Sequence, residues 1–173
     1  MTIKTEPPIS WDQLWLETAR LAAKRSRCTR DQVGAVLVSH DNRALSVSYN
    51  GAPATFTGDT GFECAFWCPR AMNVPRGEGG GHPEYHDCPA QHAEANAILR
   101  SPAVDSALGV MFSTFLYVST VPCMSCAKMI GVARTTKNLR RVVCSQGGIG
   151  DGYRNQGDAV DFMQQCGVSV SLV

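Results

Sequence analysis

Apolar residues recur at helical spacing from Trp11 through Leu14, Trp15, Ala19 and Ala22, which predicts a first helix running to about Ser26. Ser10 precedes it, and Gln13 three residues on completes the pattern of a capping box. The period then changes. Val33 to Ser39 is a short valine-rich run, His40-Asp41-Asn42 makes a turn, and Ala44 to Tyr49 alternates before Asn50-Gly51. These two runs read as an antiparallel strand pair. Further on, His92 to Arg100 is helical and closes at Ser101-Pro102, because a residue before proline is driven out of the helical region. Phe115 to Thr120 reads as a buried strand, Cys123 to Arg134 as a helix and Arg141 to Ser145 as another strand. After the turn of Gly147, Gly148, Gly150 and Gly152, a last helix near Asp158 to Cys166 leads to a strand at Val168 to Val173. The order α-β-β-α-β-α-β-α-β predicts an α/β fold: a five-stranded mixed sheet with helices on both faces, a three-layer α-β-α sandwich.

Residues 51 to 91 break this rhythm. They hold Cys64, Cys68, Cys88, His82 and His86 among glycines and prolines, with no sustained period. A structureless loop of that length is improbable in a compact domain unless something fixes it, and a metal ion would do so. Composition supports one well-buried domain spanning 1–173, with a Cys/His-rich insert at about 54–91: the chain has 173 residues, 44% hydrophobic and 18% charged. A net charge of +1 lacks the basic excess of a non-specific nucleic-acid binder, yet a single nucleotide needs only two or three placed groups. No apolar run reaches the length of a membrane span, and Met1 to Ser10 lacks the apolar segment of a secretory signal. The expectation is a cytoplasmic protein with no nucleic-acid or membrane partner. Eight cysteines in a reducing compartment then point to metal rather than disulfides. Cys144 and Cys166 are expected to be small buried hydrophobes.

The strongest chemical signal is His92-Ala93-Glu94 followed by Pro122-Cys123-Met124-Ser125-Cys126. A Cys-x-x-Cys at a helix start sets two thiolates where the helix dipole favours negative charge. One imidazole and two thiolates leave a tetrahedral zinc ion with an open fourth position, the arrangement of catalytic rather than structural zinc. Water bound at such a site ionises near neutral pH. Glu94, two residues from His92, stands beside the metal with its carboxylate available to move protons.

His-x-Glu with Pro-Cys-x-x-Cys is the signature of zinc-dependent nucleobase deaminases, and the chain resembles that superfamily over most of its length, most of all the deoxycytidylate (dCMP) deaminase branch. The resemblance is carried by Arg25-Ser26-Arg27-Cys28, Val33-Gly34-Ala35-Val36 and Ser48-Tyr49-Asn50-Gly51-Ala52-Pro53. It continues through His92-Ala93-Glu94-Ala95-Asn96-Ala97-Ile98 and Pro122-Cys123-Met124-Ser125-Cys126-Ala127-Lys128. Ala95 departs from the leucine or glutamine common there, a change in packing rather than chemistry. The resemblance implies a cytidine-deaminase-like fold and hydrolytic deamination of dCMP to dUMP and ammonia, which supplies dUMP for thymidylate. Water attacks C4 of the cytosine while Glu94 protonates N3 and then passes a proton to the leaving amine. It also implies that Asn50 contacts the sugar and the backbone of Ala93 the base carbonyl. Ser26, Arg27 and Arg25 at the end of the first helix, with Tyr153 after the Gly-rich turn, are candidates for the base or the 5′-phosphate.

Relatives in this branch carry a second, structural zinc in the insert, and Cys28, Cys64 and Cys88 match that pattern. The fourth ligand is open among Cys68, His82 and His86. The family is commonly hexameric, and dCTP and dTTP are candidate allosteric partners. Two other readings stand beside this one: a deaminase of 5-substituted dCMP or of another base or nucleotide, and a zinc-stapled binding module without chemistry. Retention of Glu94 and of all three ligands argues against the second.

Overall fold

In the computed structural model, residues 7–53, 88–101, 112–146 and 156–173 are described. Helix α1 (Trp11–Ala23) starts at the capping box expected: Ser10 Oγ accepts from Gln13 N–H at 3.2 Å, and the Gln13 side chain accepts from Ser10 N–H at 3.0 Å. It stops three residues short of the expected Ser26, because the chain tightens there. Arg25 N–H and Ser26 N–H bond the carbonyls of Ala22 and Ala23, three residues back. Its buried face also differs from the expected stripe. Leu16, Ala19, Ala22 and Ala23 are buried, whereas Trp11 is exposed and stacks on Trp15 at 6.1 Å between centroids.

Strands β1 (Gly34–Ser39) and β2 (Ala44–Tyr49) pair antiparallel, joined by a turn in which Asn42 takes a φ of 61°, a left-handed conformation that asparagine tolerates. Helix α2 (Ala93–Arg100) ends at Ser101, whose extended backbone is what a following proline requires. Strand β3 (Thr114–Val118), helix α3 (Met124–Thr136) and strand β4 (Leu139–Cys144) follow. Helix α3 runs two residues past the expected end and β4 begins two residues early. Asn138 (φ 48°) makes the sharp junction between them. Helix α4 (Gln156–Gln165) and strand β5 (Ser169–Leu172) complete the order.

The sheet runs β2-β1-β3-β4-β5, with β1 antiparallel to both neighbours and β3, β4 and β5 parallel. This is the mixed five-stranded sheet expected. Alternation along β1 sends Val36 and Val38 to one face and Ala35 and Leu37 to the other. Helix α1 covers the first face, where Leu16 and Ala19 meet Val36, Val38, Tyr117 and Val143. Helices α2, α3 and α4 cover the second, burying Ala97, Ile130 and Met163 against Leu37, Leu116 and Val142. Each large side chain fully buried contributes roughly 1.5–3 kcal/mol of transfer free energy. Cys144 is wholly buried in this second core, as expected, whereas Cys166 is only half-buried.

Register gathers one end of the sheet. Gly34 lies opposite Tyr49, and Ala35 opposite Val118. The start of β1, the end of β2 and the end of β3 are therefore neighbours. Gly34 and Ser119 exchange two hydrogen bonds of 3.0 Å there. Gly34 also lets α1 descend onto the sheet: a Cβ at this position would lie 1.9 Å from the carbonyl oxygen of Ala19 and 2.6 Å from Ala23 N. The end of α1 thus arrives at the same end of the sheet.

Candidate active site and metal centre

The two strongest sequence signals meet at that end. His92 and Cys123 are the N-cap residues of α2 and α3, both with extended backbone (ψ 153° and 167°). Their carbonyls accept the first helical hydrogen bonds, from Asn96 N–H at 3.0 Å and Ala127 N–H at 2.8 Å. Neither side chain caps its own helix. Instead they turn toward each other. His92 Nδ1 lies 3.4 Å from Cys123 Sγ and 3.3 Å from Cys126 Sγ, and the three ligand atoms fall within 4.8 Å of one another.

This donor set fits zinc. Zn–S near 2.3 Å and Zn–N near 2.0–2.1 Å at tetrahedral angles require an N···S edge of about 3.6 Å, within a few tenths of the distances found. The electrostatics agree. A hydrogen bond donated by the Cys126 thiol holds the Cys123 thiol at a pKa of about 3, against the opposing effect of burial and with further help from His92. Cys126 is pushed the other way by its hydrogen bond to Cys123, by burial and by the charge of Glu94. Metal binding to the pair releases the thiol proton that the two sulfurs share.

Glu94 stands in the first turn of α2 and is 2% exposed. Its carboxylate lies near the Cys126 thiol and helps to push it up, and burial followed by the charge of Glu94 pushes the Cys144 thiol up to about 12. A buried carboxylate touching one metal ligand is placed to exchange protons with whatever occupies the open coordination position. Ala93, expected to offer its backbone to the base, is fully buried beside it.

Asn50 and Ser26 lie nearby in a different situation. The Asn50 carboxamide bridges two backbone groups: Oδ1 accepts from Val33 N–H at 2.9 Å, and Nδ2 donates to Asp31 O at 2.8 Å. The Ser26 hydroxyl donates to Asn50 O at 2.8 Å and accepts from Cys28 N–H at 3.2 Å. Both side chains brace the segment between α1 and β1. Arg25 and Arg27 are exposed on it. Cys28 and Cys88 are half-buried, with Cys28 Sγ 3.5 Å from Asp31 N. Cys64, Cys68, His82, His86, Tyr153 and Arg154 lie outside the described residues, as do the Gly-rich turn and nearly all of the insert.

Two fasteners escaped the sequence reading. Gly51 and Gln91 pair through two backbone hydrogen bonds of 3.0 Å, immediately before His92. Asn96 Nδ2 donates to Tyr49 O at 2.9 Å. The signal for the second was an asparagine inside an alanine-rich helix, four residues after His92; for the first there was none.

The family model described as the cytidine and deoxycytidylate deaminase zinc-binding region matches residues 9–145. Deoxycytidylate deaminase of Mycobacterium phage D29 is 38% identical over 77% of this chain and 92% of its own length. The Schizosaccharomyces pombe protein of that name is 37% identical over 70% of this chain, and the Saccharomyces cerevisiae one 30% over 93%. The chain spans 34% and 44% of those two yeast proteins, which are much longer. Among solved structures, the apo dCMP deaminase of cyanophage S-TIM5 superposes with a TM-score of 0.60 at 23% identity, covering 94% of this chain and 96% of that one. At that identity the likeness speaks to the fold.

Proposed function

The chain belongs to the family of cytidine and deoxycytidylate deaminases, and from that membership we propose that it hydrolyses dCMP to dUMP and ammonia. The observation that carries the reading is the meeting of His92, Cys123 and Cys126 with Glu94 buried against them. Relatives named for deoxycytidylate supply the substrate. His92 Nδ1 and the two thiolates would hold zinc. When bound, the ion supplies Lewis acidity that brings the pKa of a water ligand toward neutrality. Glu94 does the proton work: it takes one proton from the attacking water and delivers it to N3 of the cytosine, then takes the remaining proton from the new C4 hydroxyl and passes it to the departing amine. Ala93, Ala97, Val121 and Ala127 are buried in the core, and apolar surroundings of that kind lower the local dielectric and strengthen the electrostatic interactions of Glu94.

The 5′-phosphate is met by local donors, because a near-neutral protein offers no global field. Arg25 and Arg27 are the cationic candidates, with Tyr153 from the Gly-rich turn. The Ser26 hydroxyl hydrogen is already held by Asn50 O, so Ser26 serves the phosphate by shaping the loop. Asn50 acts at the sugar through the strand end it braces. The reading extends to one deaminase domain over 1–173 whose insert carries a structural zinc on Cys28, Cys64, Cys88 and one further ligand, His82 being the first candidate. It extends also to a cytoplasmic homo-oligomer, hexameric by family resemblance, with dCTP and dTTP as effectors.

The test is ammonia release from dCMP, CMP, deoxycytidine, dCTP and 5-substituted dCMP, with zinc counted in the same preparation. A charge-assisted contact is worth about 1.5–3 kcal/mol, so two or three favour dCMP over deoxycytidine by about three orders of magnitude. We expect strong activity on dCMP, weak activity on CMP, almost none on deoxycytidine, and two zinc ions per chain. Equal efficiency on dCMP and deoxycytidine overturns the nucleotide assignment, and a single zinc removes the structural site.

A further inference from the structure

Resting on the deaminase reading, we propose that Asn96 is a positioning residue that sets the rotation of α2 and thereby the place of the Glu94 carboxylate. Asn96 is 8% exposed, and its Nδ2 donates to the carbonyl of Tyr49, the last residue of β2, at 2.9 Å. Residues two apart on an α-helix point about 200° from each other. Asn96 therefore binds the β2 side of α2 while Glu94 reaches the opposite way, to Cys126 of α3. Side-chain packing indexes this helix only near its C-terminal end, where Ile98 enters the core; Ala93, Ala95 and Ala97, around Glu94, are too short to interlock with their neighbours.

The two fasteners divide the task. The Gly51–Gln91 backbone pair holds the entry to α2 in place, and a backbone pair at one point leaves rotation about the helix axis free. The Asn96 bond, one helical turn further on, removes that freedom. Its acceptor is well anchored: the next residue, Asn50, is hydrogen-bonded to Val33 by its backbone N–H and to Asp31 and Val33 by its side chain. A carboxylate about 6 Å from a helix axis moves about 1 Å for a 10° rotation. A misplacement of that size costs about a hundredfold when a reacting geometry depends on it.

The experiment is a double-mutant cycle on the zinc-loaded full chain with dCMP as substrate. Asn96→Leu keeps the branched heavy-atom skeleton and removes the donor; Asn96→Ser, with a shorter side chain, runs alongside in case the bulkier leucine variant does not fold. Each is made in the native and in the Glu94→Gln background. We expect kcat to fall about 10- to 100-fold with KM within about threefold, zinc content unchanged, and partial recovery in Asn96→Gln, which keeps a donor. In the Glu94→Gln background the same substitutions should have almost no further effect, because the group they position is gone. A merely structural role would subtract equally in both backgrounds. Equal losses in the two backgrounds, or wild-type kcat in the variants, overturn the inference. An unmodified protein inactive on dCMP instead overturns the function on which it rests.

Discussion

The start of α1 and the starts of α2 and α3 share one backbone shape and use it differently. Ser10, His92 and Cys123 are all N-caps in the extended region, with ψ of 157°, 153° and 167°. At Ser10 the side chain closes on its own helix through a reciprocal capping box. At His92 and Cys123 it turns outward to a shared point. An N-terminus with unmatched N–H groups carries partial positive charge. On α1 that charge is quenched for stability. On α2 and α3 it is left to favour the thiolates and Glu94. The lesson is that cap positions are where this fold exchanges stability for chemistry, and each exchange is open to reversal.

Cys123→Ser is the sharpest reversal. Serine is a strong N-cap and a poor zinc ligand. Activity should fall to background, while the metal-free form should gain about 0.5–2 kcal/mol at α3. For a chain of this size 1 kcal/mol corresponds to about 2–4 °C in Tm. Calorimetry of chelator-treated wild-type and variant proteins checks the sign. Equal or lower melting of the variant would show that Cys123 already caps α3 and would break the comparison.

Glu94→Gln comes next. The group lies in the first turn of α2, past its cap, so neither folding nor zinc content should change. Turnover should drop about 10²–10⁴-fold, the range for loss of general acid–base help. Single-turnover kinetics with parallel zinc analysis separates the two effects; near-normal turnover would remove Glu94 from the chemistry.

What could be read from sequence divides along the same line. The capping box, the β2 span of Ala44–Tyr49 and the motifs that carry His92, Cys123 and Cys126 are written in short, local patterns; the structure realises the first two and brings those three side chains together. The buried face of α1 is not local. It depends on which residues the sheet presents, so Leu16 goes in and Trp11 stays out. Asn50 and Ser26 belong to a chemically suggestive motif, yet their side chains are tied to backbone groups as far as 24 residues away. Spacing cannot reveal such ties. Asn96 and Gly34 escaped for the same reason: their partners, Tyr49 and Ala19, are set by the packing of elements distant in sequence.

Gly34→Ala carries the comparison from helix starts to a helix end. The added Cβ meets backbone atoms of Ala19 and Ala23, which cannot swing aside as a side chain would. Helix α1 must lift, at a cost of about 3 kcal/mol by analogy with overpacked cores, or about 6–12 °C in Tm. Because Ser26 links the end of α1 to Asn50 O, kcat/KM for dCMP should fall with stability. Thermal melts and steady-state kinetics at a temperature well below the melt check both. A stable variant with normal kinetics would show that α1 is not coupled to the site.

Ser10→Ala isolates the other side of the comparison and has the smallest expected effect. It removes the hydroxyl that accepts from Gln13 N–H, and leaves the Gln13 side chain bonded to the residue-10 backbone. Half of the reciprocal pair therefore survives, which places the loss toward the middle of the 0.5–2 kcal/mol range for N-cap truncation, about 1 kcal/mol. The position is exposed, so no cavity adds to it. Helix α1 holds the sheet through Leu16 and Ala19 and through Asp12, which accepts hydrogen bonds from Tyr117 Oη at 2.8 Å and from Arg141 Nη2 at 2.8 Å. Those contacts begin two residues into the helix, so fraying at Ser10 should stop before reaching them. Denaturant melts should show the lower stability with an unchanged slope, and kcat and KM for dCMP should stay at wild-type values, since the capped end of α1 is the end away from Ser26 and Asn50. A kinetic defect in Ser10→Ala would mean that the α1 cap also serves the site, and that stability and chemistry are not divided between helix starts.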